Sequence, residues 1–231
     1  MSAAEAMSME VSPPIEPDAR PVALFDLDGT ITDPADGIVS CHRWALSEIG
    51  LEIPMDVDTS TLIGPPVQEA YEMLGVPSDQ MTEAVRLYRE RFAIAGWLDD
   101  TAYPGVVELI EGLAGAGWVV GVATMKLEQF AARIIERVGL ADHIGVVAGS
   151  DPARTRITKT KVIEHALEQL GSPTAGVAMI GDRRHDIEAA RALGLTAIGV
   201  AWGFGSIEEL MGANAHAIAV TPADVSEFLL G

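Results

Sequence analysis

After residue 100, short apolar runs alternate with amphipathic segments. The apolar runs predict strands over 118–123, 144–148, 176–180, 196–201 and 217–220, and the segments around them predict helices over 106–114, 127–138, 161–170, 187–193, 207–211 and 223–230. The runs are apolar on both faces, which is typical of parallel strands covered by helices on each side. Together with an earlier apolar run at 21–25, the pattern predicts an α/β fold: a Rossmann-like parallel sheet with helices on both faces.

The segment 37–100 breaks this alternation. Its apolar residues recur at helical spacing, and it contains no convincing strand. We therefore predict an all-helical insertion over 37–100, within an α/β core formed by 21–36 and 101–231. Residues 1–20 are acidic, contain proline and are rich in alanine and serine, so we expect a disordered tail there.

Charge and composition exclude several classes of protein. The 15 basic and 34 acidic residues give a net charge of −19, which would repel nucleic acid and anionic membranes. No apolar stretch is long enough for a transmembrane helix, and the start of the chain lacks the features of a signal peptide. The single cysteine, Cys41, excludes an internal disulfide and fits a reducing compartment, so we expect a cytoplasmic location.

Two carboxylates follow the first predicted strand. Asp26 and Asp28 are two positions apart, so both side chains can project from the strand end toward one point. Gly29 and Thr30 allow a sharp turn that offers main-chain N–H groups to an anion. This segment can supply a nucleophile, an acid–base group, a hard-cation site and an anion cradle. The structural alternative is a pair of acids that caps the turn.

A second candidate group stands after the 118–123 strand. Thr124 could donate to a phosphoryl oxygen, because ligands of open parallel sheets bind at the carboxyl ends of the strands. It could equally cap the helix that starts near residue 127. Met125 and Lys126 follow it and are further candidates for phosphate binding.

The basic residues of the middle of the chain form the third candidate group. The chain has only three lysines, Lys126, Lys159 and Lys161, which suggests placed roles rather than general surface charge. Lys159, at a predicted helix start, can screen paired carboxylates and a phosphoryl group, whereas Lys161 should face elsewhere. The alternative is a solvated basic patch. We expect four cations to draw in a phosphate: Lys126, Arg154, Arg156 and Lys159.

The fourth group follows the strand at 176–180. Asp182 and Asp186 are four residues apart, and both can face the same sheet edge as Asp26. Carboxylates, a main-chain carbonyl and water are suitable ligands for octahedral Mg²⁺. The structural alternative is a helix cap with an acid in the first turn.

In this order, the four motifs resemble those of the haloacid dehalogenase-like superfamily of phosphohydrolases. The resemblance spans residues 22–231, and the helical insertion corresponds to what that family calls a type-1 cap. Shorter runs at 37–40, 63–66, 149–150 and 203–205 look like the phosphoglycolate-phosphatase and 5′-nucleotidase-like branch. Met125 departs from the small polar residue usual there between Thr and Lys.

The resemblance implies a Mg²⁺-dependent phosphatase that acts on a small phosphorylated metabolite similar to phosphoglycolate, a nucleotide or a sugar phosphate. Asp26 would attack phosphorus and form an aspartyl-phosphate, and Asp28 would act as general acid and then general base. Thr124 and Lys159 would hold the phosphoryl oxygens. The implied metal ligands are the Asp26 carboxylate, the Asp28 main-chain carbonyl, Asp182 and Asp186, the last as a ligand or as a group that orients one.

Other functions remain open from the residues. A phosphotransferase or mutase would use the same aspartyl-phosphate but pass it to a sugar or protein hydroxyl. A non-catalytic binding module would be expected to lack a catalytic residue, whereas all four motifs are intact here. A dehalogenase would need neither Asp28 nor the second acidic pair. We expect a small-molecule partner and a monomer or homodimer.

Overall fold

A computed structural model of the chain describes residues 20–153, 155–173 and 176–231. Apart from Arg20, the predicted tail lies outside the described residues, and so does Arg154. The strands are β1 (Val22–Phe25), β2 (Thr32–Asp33), β3 (Thr101–Ala102), β4 (Val119–Leu127), β5 (Ile144–Ser150), β6 (Val177–Gly181), β7 (Thr196–Val200) and β8 (Ala217–Ala219). The α-helices are α1 (Ala35–Glu48), α2 (Val67–Met73), α3 (Met81–Arg91), α4 (Val106–Gly115), α5 (Glu128–Arg137), α6 (Lys159–Gln169), α7 (Arg184–Ala192), α8 (Ile207–Gly212) and α9 (Pro222–Leu230).

The central sheet confirms the predicted fold class. Six strands lie in the order β5-β4-β1-β6-β7-β8, and every neighbouring pair is parallel. A chain that joins two parallel strands must cross from one end of the sheet to the other, and the helices in these connections cover both faces of the sheet. Strand β1 lies in the middle, between β4 and β6.

The residues of β1 show why its sequence is apolar throughout. Ala23 and Phe25 belong to one core cluster, together with buried residues of α4, α5 and α9. Val22 and Leu24 belong to a second cluster on the opposite face, with buried residues of α6 and α7. All four are at most 2% exposed. Since a fully buried Val, Leu or Phe side chain contributes about 1.5–3 kcal/mol, the strand is stabilised from both faces.

The segment between β2 and β3 has its own core. It contains α1, α2, α3, a 3₁₀ helix (Thr59–Leu62) and a π-helix (Phe92–Gly96). Its buried cluster consists of Cys41, Ala45, Leu46, Tyr71, Val76, Ala84, Leu87 and Tyr88. Strands β2 and β3 pair antiparallel, with Thr32 opposite Ala102, where the chain leaves and rejoins the larger unit. No helix in the described part of the chain has the length and apolar character needed to cross a membrane.

Several element boundaries differ from the sequence prediction, and two of the differences have a clear local cause. Strand β4 continues to Leu127 instead of ending at residue 123, because Leu127 pairs with Ser150 after an irregularity in register. Helix α7 begins at Arg184 rather than at residue 187, because the Asp186 carboxylate accepts a hydrogen bond of 3.0 Å from the Arg183 N–H and closes the first turn.

Candidate active site

The register of three strands places the candidate residues at one edge of the sheet. Phe25 of β1 lies opposite Val122 of β4 and Ile180 of β6. The next residue, Asp26, donates its N–H to the Ile180 carbonyl at 2.8 Å. Thr124 and Asp182 come shortly after the same register positions. The carboxyl ends of these parallel strands therefore meet, as ligand sites of such sheets require.

Lys159 is buried between two of the acids. It is the first residue of α6, and its Nζ lies 2.7 Å from Asp26 Oδ1 and 2.6 Å from Asp186 Oδ1. Burial alone would lower the pKa of Lys159, but the facing carboxylates outweigh it and hold the pKa above its usual range. Lys161 is exposed and pairs with Glu164, so of the two lysines it is Lys159 that contacts Asp26.

Asp26, Asp182 and Asp186 form an acidic cluster. Each offers one carboxylate oxygen, and these three oxygens lie within 4.8 Å of one another. Burial, with Asp26 as the next largest influence, raises the pKa of Asp182 to about 7. Burial also raises the pKa of Asp186 to about 6, against the opposing effect of Lys159. Three carboxylate oxygens at this spacing fit a hard divalent cation, whose charge would offset their repulsion.

Two loops hold Asp182 in place. Its Oδ2 accepts a hydrogen bond of 2.8 Å from the Phe204 N–H, and its Oδ1 lies 3.4 Å from the Thr30 hydroxyl, which donates to it. Gly29 has a φ of +84°, and a Cβ there would lie 2.3 Å from Asp182 Oδ2. A Cβ at Gly203 would lie 2.5 Å from the Asp182 Cβ. Both positions therefore need glycine for the close approach.

Asp28 faces a lysine from β4. The Lys126 Nζ lies 2.8 Å from Asp28 Oδ1 and 3.3 Å from Asp100 Oδ2. Burial raises the pKa of Asp28, and the Lys126 ammonium opposes part of that shift. Burial also raises the pKa of Asp100 to about 7. In this structure the Lys126 ammonium is thus engaged by two carboxylates.

Thr124 and Met125 occupy different environments. Thr124 is 1% exposed, and its hydroxyl oxygen accepts a hydrogen bond of 3.2 Å from the Lys126 N–H. The hydroxyl proton is thereby left available for another acceptor. The Met125 side chain is 43% exposed and has no hydrogen-bond donor, so a hydrogen bond from this residue to a phosphate would come from its main-chain N–H.

Comparison with known proteins agrees with this geometry. The sequence profile of the haloacid dehalogenase-like hydrolases matches residues 23–200. The chain belongs to this family. It is 38% identical over 184 residues to a protein of Mycobacterium tuberculosis named tyrosine-protein kinase PtkA, covering 80% of this chain and 63% of that protein. It is 38% identical over 191 residues to a 5′-nucleotidase of Pseudomonas aeruginosa, covering 82% and 86% of the two chains.

Solved structures of other proteins superpose on this chain and share its fold. A putative phosphatase from Clostridium difficile superposes with a TM-score of 0.83 at 32% identity, covering 91% of this chain and 98% of the other. The structure of PtkA superposes with a TM-score of 0.79 at 34% identity, covering 92% and 99%. These likenesses extend beyond the sheet to most of the described chain.

The basic residues expected near a family phosphate site divide into three groups. Lys126 and Lys159 lie in the site, in ion pairs. Arg156 instead supports the loop after β5: its Nε donates to the Gly149 carbonyl at 2.7 Å, and its guanidinium pairs with Glu128 at 2.9 Å. Arg154 lies outside the described residues.

Sequence reasoning overlooked several residues that support the site. Asp100 has no local pattern that distinguishes it from other acids. Trp202 donates its indole N–H to the Thr30 carbonyl at 3.0 Å, and Phe204 contacts Asp182 as described above. The sequence did carry a signal for Trp202 and Phe204, because the adjacent run Gly203-Phe204-Gly205 resembles a branch of this family. In the structure, both glycines of this run lie directly against Asp182.

Proposed function

We propose that this chain is a Mg²⁺-dependent phosphatase that hydrolyses a small phosphorylated metabolite through an aspartyl-phosphate. One observation carries the proposal: the Asp26 carboxylate lies between a buried ammonium and two further acids, with Asp28 two residues away. The side chain of Asp26 is 13% exposed, so it is reachable from solvent. The relative named 5′-nucleotidase supports a phosphate monoester as substrate.

In the first proposed step, an Asp26 carboxylate oxygen attacks phosphorus and the bond to the leaving oxygen breaks. Asp28 gives its proton to that oxygen, which departs as an alcohol. In the second step, a water oxygen attacks the phosphorus, Asp28 takes the water proton, and the bond between phosphorus and Asp26 breaks. Inorganic phosphate is released and Asp26 is regenerated as a carboxylate.

Further residues act through both steps. Lys159 and the Thr124 hydroxyl hold the phosphoryl oxygens. Asp26, Asp182 and Asp186, with the Asp28 main-chain carbonyl, would hold Mg²⁺, which offsets the repulsion between a carboxylate nucleophile and a phosphate dianion. Gly29, Thr30, Met125 and Lys126 line the phosphate side of this site in the proposal.

The helical segment 37–100 is the proposed cap over a core of 21–36 and 101–231. A cap that closes over the site excludes water and contacts the leaving group. The substrate class we propose comprises phosphoglycolate-, nucleotide- or sugar-phosphate-like monoesters. We also propose a cytoplasmic location and a monomer or homodimer.

The test uses the full chain with p-nitrophenyl phosphate. We expect hydrolysis with Mg²⁺, its loss after chelation and recovery on adding Mg²⁺ back. Asp26→Asn should lower kcat by at least about 1,000-fold, because removal of a nucleophile removes the whole reaction path. Asp36→Asn, an exposed acid ten residues away, is the matched control and should retain activity. Hydrolysis by Asp26→Asn at the wild-type rate would overturn the proposal.

A second candidate is a phosphotransferase that passes the phosphoryl group from Asp26 to a hydroxyl. The name of the M. tuberculosis relative, a tyrosine-protein kinase, is the observation that favours it. Phosphate release measured with and without a tyrosine-containing peptide distinguishes the two. Labelled peptide without free phosphate would favour transfer, and free phosphate in the absence of any added acceptor would favour hydrolysis.

A further inference from the structure

Asp100 is a buried acid that the proposed chemistry does not use. It directly precedes β3, where the chain returns from the helical segment, and it is 0% exposed. Its Oδ2 contacts the Lys126 Nζ at 3.3 Å, and its Oδ1 has no hydrogen-bond partner among the described residues. Its main-chain carbonyl accepts from Arg137. Asp100 is thus held through both its side chain, by Lys126, and its main chain, by Arg137.

Lys126 connects three parts of the molecule. Its Nζ lies 2.8 Å from Asp28 Oδ1 and 3.3 Å from Asp100 Oδ2. It also lies 5.0 Å from the centre of the Phe92 ring, at the start of the π-helix. Phe92 in turn packs edge-on against Phe130 of α5, with 5.4 Å between ring centres. The ammonium is therefore confined on three sides.

Burial of Lys126 with the carboxylates of Asp28 and Asp100 is energetically unfavourable if these charges only stabilise the fold. The Lys126 side chain is 6% exposed, and it shares its single charge between two carboxylates. Desolvation of such groups commonly exceeds the gain from their attraction, and apolar replacements of similar volume are often neutral or stabilising. A fold that only needed this space filled would be better served by apolar side chains. A role in the site accounts for retaining the charges.

We infer that Asp100 and Lys126 are positioning residues for Asp28: Asp100 and Phe92 direct the Lys126 ammonium onto Asp28 Oδ1 and so fix the plane of that carboxyl group. The other oxygen, Oδ2, is then the one that exchanges a proton with the leaving group. The inference rests on the proposed function, in which Asp28 is the acid. It gives Lys126 a role different from direct phosphate binding.

The two roles of Lys126 differ in one measurable respect. An alkoxide is a poor leaving group and needs the proton from Asp28, whereas p-nitrophenolate departs readily without it. The parameter kcat/KM reports on the steps through departure of the leaving group and is insensitive to the later hydrolysis of the aspartyl-phosphate. If Asp28 is no longer positioned, kcat/KM should therefore fall more for an alkyl phosphate than for p-nitrophenyl phosphate. If only a phosphate contact is lost, kcat/KM should fall equally for both.

The experiment compares kcat/KM for p-nitrophenyl phosphate with that for two alkyl phosphates, phosphoglycolate and adenosine 5′-monophosphate. For Asp100→Asn and Lys126→Met, we expect a fall of about tenfold or more with the alkyl phosphates, as part of the 10²–10⁴-fold that general acids supply. For Asp100→Asn the value for p-nitrophenyl phosphate should stay within about twofold, and for Lys126→Met the loss with the alkyl phosphates should exceed the loss with p-nitrophenyl phosphate by about tenfold. Lys126→Arg should recover part of the loss. Asp99→Asn and Lys161→Met, both exposed, are the matched controls.

Equal losses with both kinds of substrate would overturn the inference and leave the proposed function intact. If the wild-type chain hydrolysed no phosphate monoester, the proposed function itself would fail. The double variant Asp100→Asn/Lys126→Met adds an independent check, because two residues that act through one carboxyl should give a combined loss close to the larger single loss. Multiplied losses would contradict it. Thermal unfolding identifies any variant that fails to fold. The remaining single variant then tests the inference through the ratio of its loss in kcat/KM with alkyl phosphates to its loss with p-nitrophenyl phosphate.

Discussion

Asp26 illustrates how one residue combines opposing electrostatic demands. In the proposed mechanism it attacks phosphorus as a carboxylate, yet it lies beside two buried acids, Asp182 and Asp186. Lys159 offsets part of the negative charge through two ion pairs. Burial, with a smaller contribution from the neighbouring carboxylates, raises the pKa values of Asp182 and Asp186. Occupancy of the cluster by a divalent cation would lower both values.

His42 makes stability depend on pH in the helical segment. It is 1% exposed and lies against the rings of Tyr71 and Tyr88, and burial lowers its pKa to about 4. The unfolded chain, with a His pKa near 6.5, binds more protons between these values, so stability falls as the pH falls through this window. From pH 7 to 5 we expect His42 to cost about 2 kcal/mol.

Urea unfolding at pH 7 and pH 5 checks this expectation. His42→Phe removes the titrating group, so the pH-dependent loss should be smaller than in the wild type by that amount. His143→Phe, which removes a partly exposed histidine, is the matched control. The difference between variants isolates His42, because the raised carboxyl pKa values act in the opposite direction in all three proteins. An unchanged dependence in His42→Phe would contradict the assignment.

At the scale of an element, the turn after β1 is fitted to Asp182. Gly29 and Gly117 both have a positive φ, +84° and +90°, so alanine should cost about 1–2 kcal/mol of stability at either position. A Cβ at Gly29 would meet Asp182 Oδ2, whereas nothing lies within 4 Å of one at Gly117. The two substitutions therefore share the strain but differ in their effect on the acidic cluster.

Magnesium titration of activity separates these effects. Gly29→Ala should raise the Mg²⁺ concentration that gives half-maximal activity by about 10- to 100-fold, as loss of groups that orient metal ligands typically does. Gly117→Ala should leave it unchanged and lower the unfolding midpoint through backbone strain alone. An unchanged Mg²⁺ requirement in Gly29→Ala would count against a metal held by Asp182.

Local pattern explains how much of each element the sequence could predict. The apolar runs identified the parallel strands, because burial on both faces leaves a clear signature. The end of β4 was missed, since its pairing with Ser150 depends on a neighbouring strand. The start of α7 was missed because a side-chain cap, from Asp186, replaces the apolar spacing as the signal.

At the scale of the whole molecule, the site is assembled from distant segments. The motif residues could be recognised because each follows a strand or begins a helix, and the carboxyl ends of parallel strands meet. Asp100 could not, because its role depends on contacts with Lys126 across 26 residues and with Arg137 across 37. Only the folded chain brings the end of the helical segment against Asp28.

The central claim, that Asp26 carries the phosphoryl group, is tested most directly by trapping that species. Wild-type chain and Asp26→Asn are mixed with Mg²⁺ and a ³²P-labelled phosphate monoester, quenched in acid within milliseconds and digested to peptides. We predict that the label is on the wild-type peptide containing Asp26, is removed by hydroxylamine and is absent from the variant. Label on a different residue, or label of equal amount in Asp26→Asn, would contradict the account.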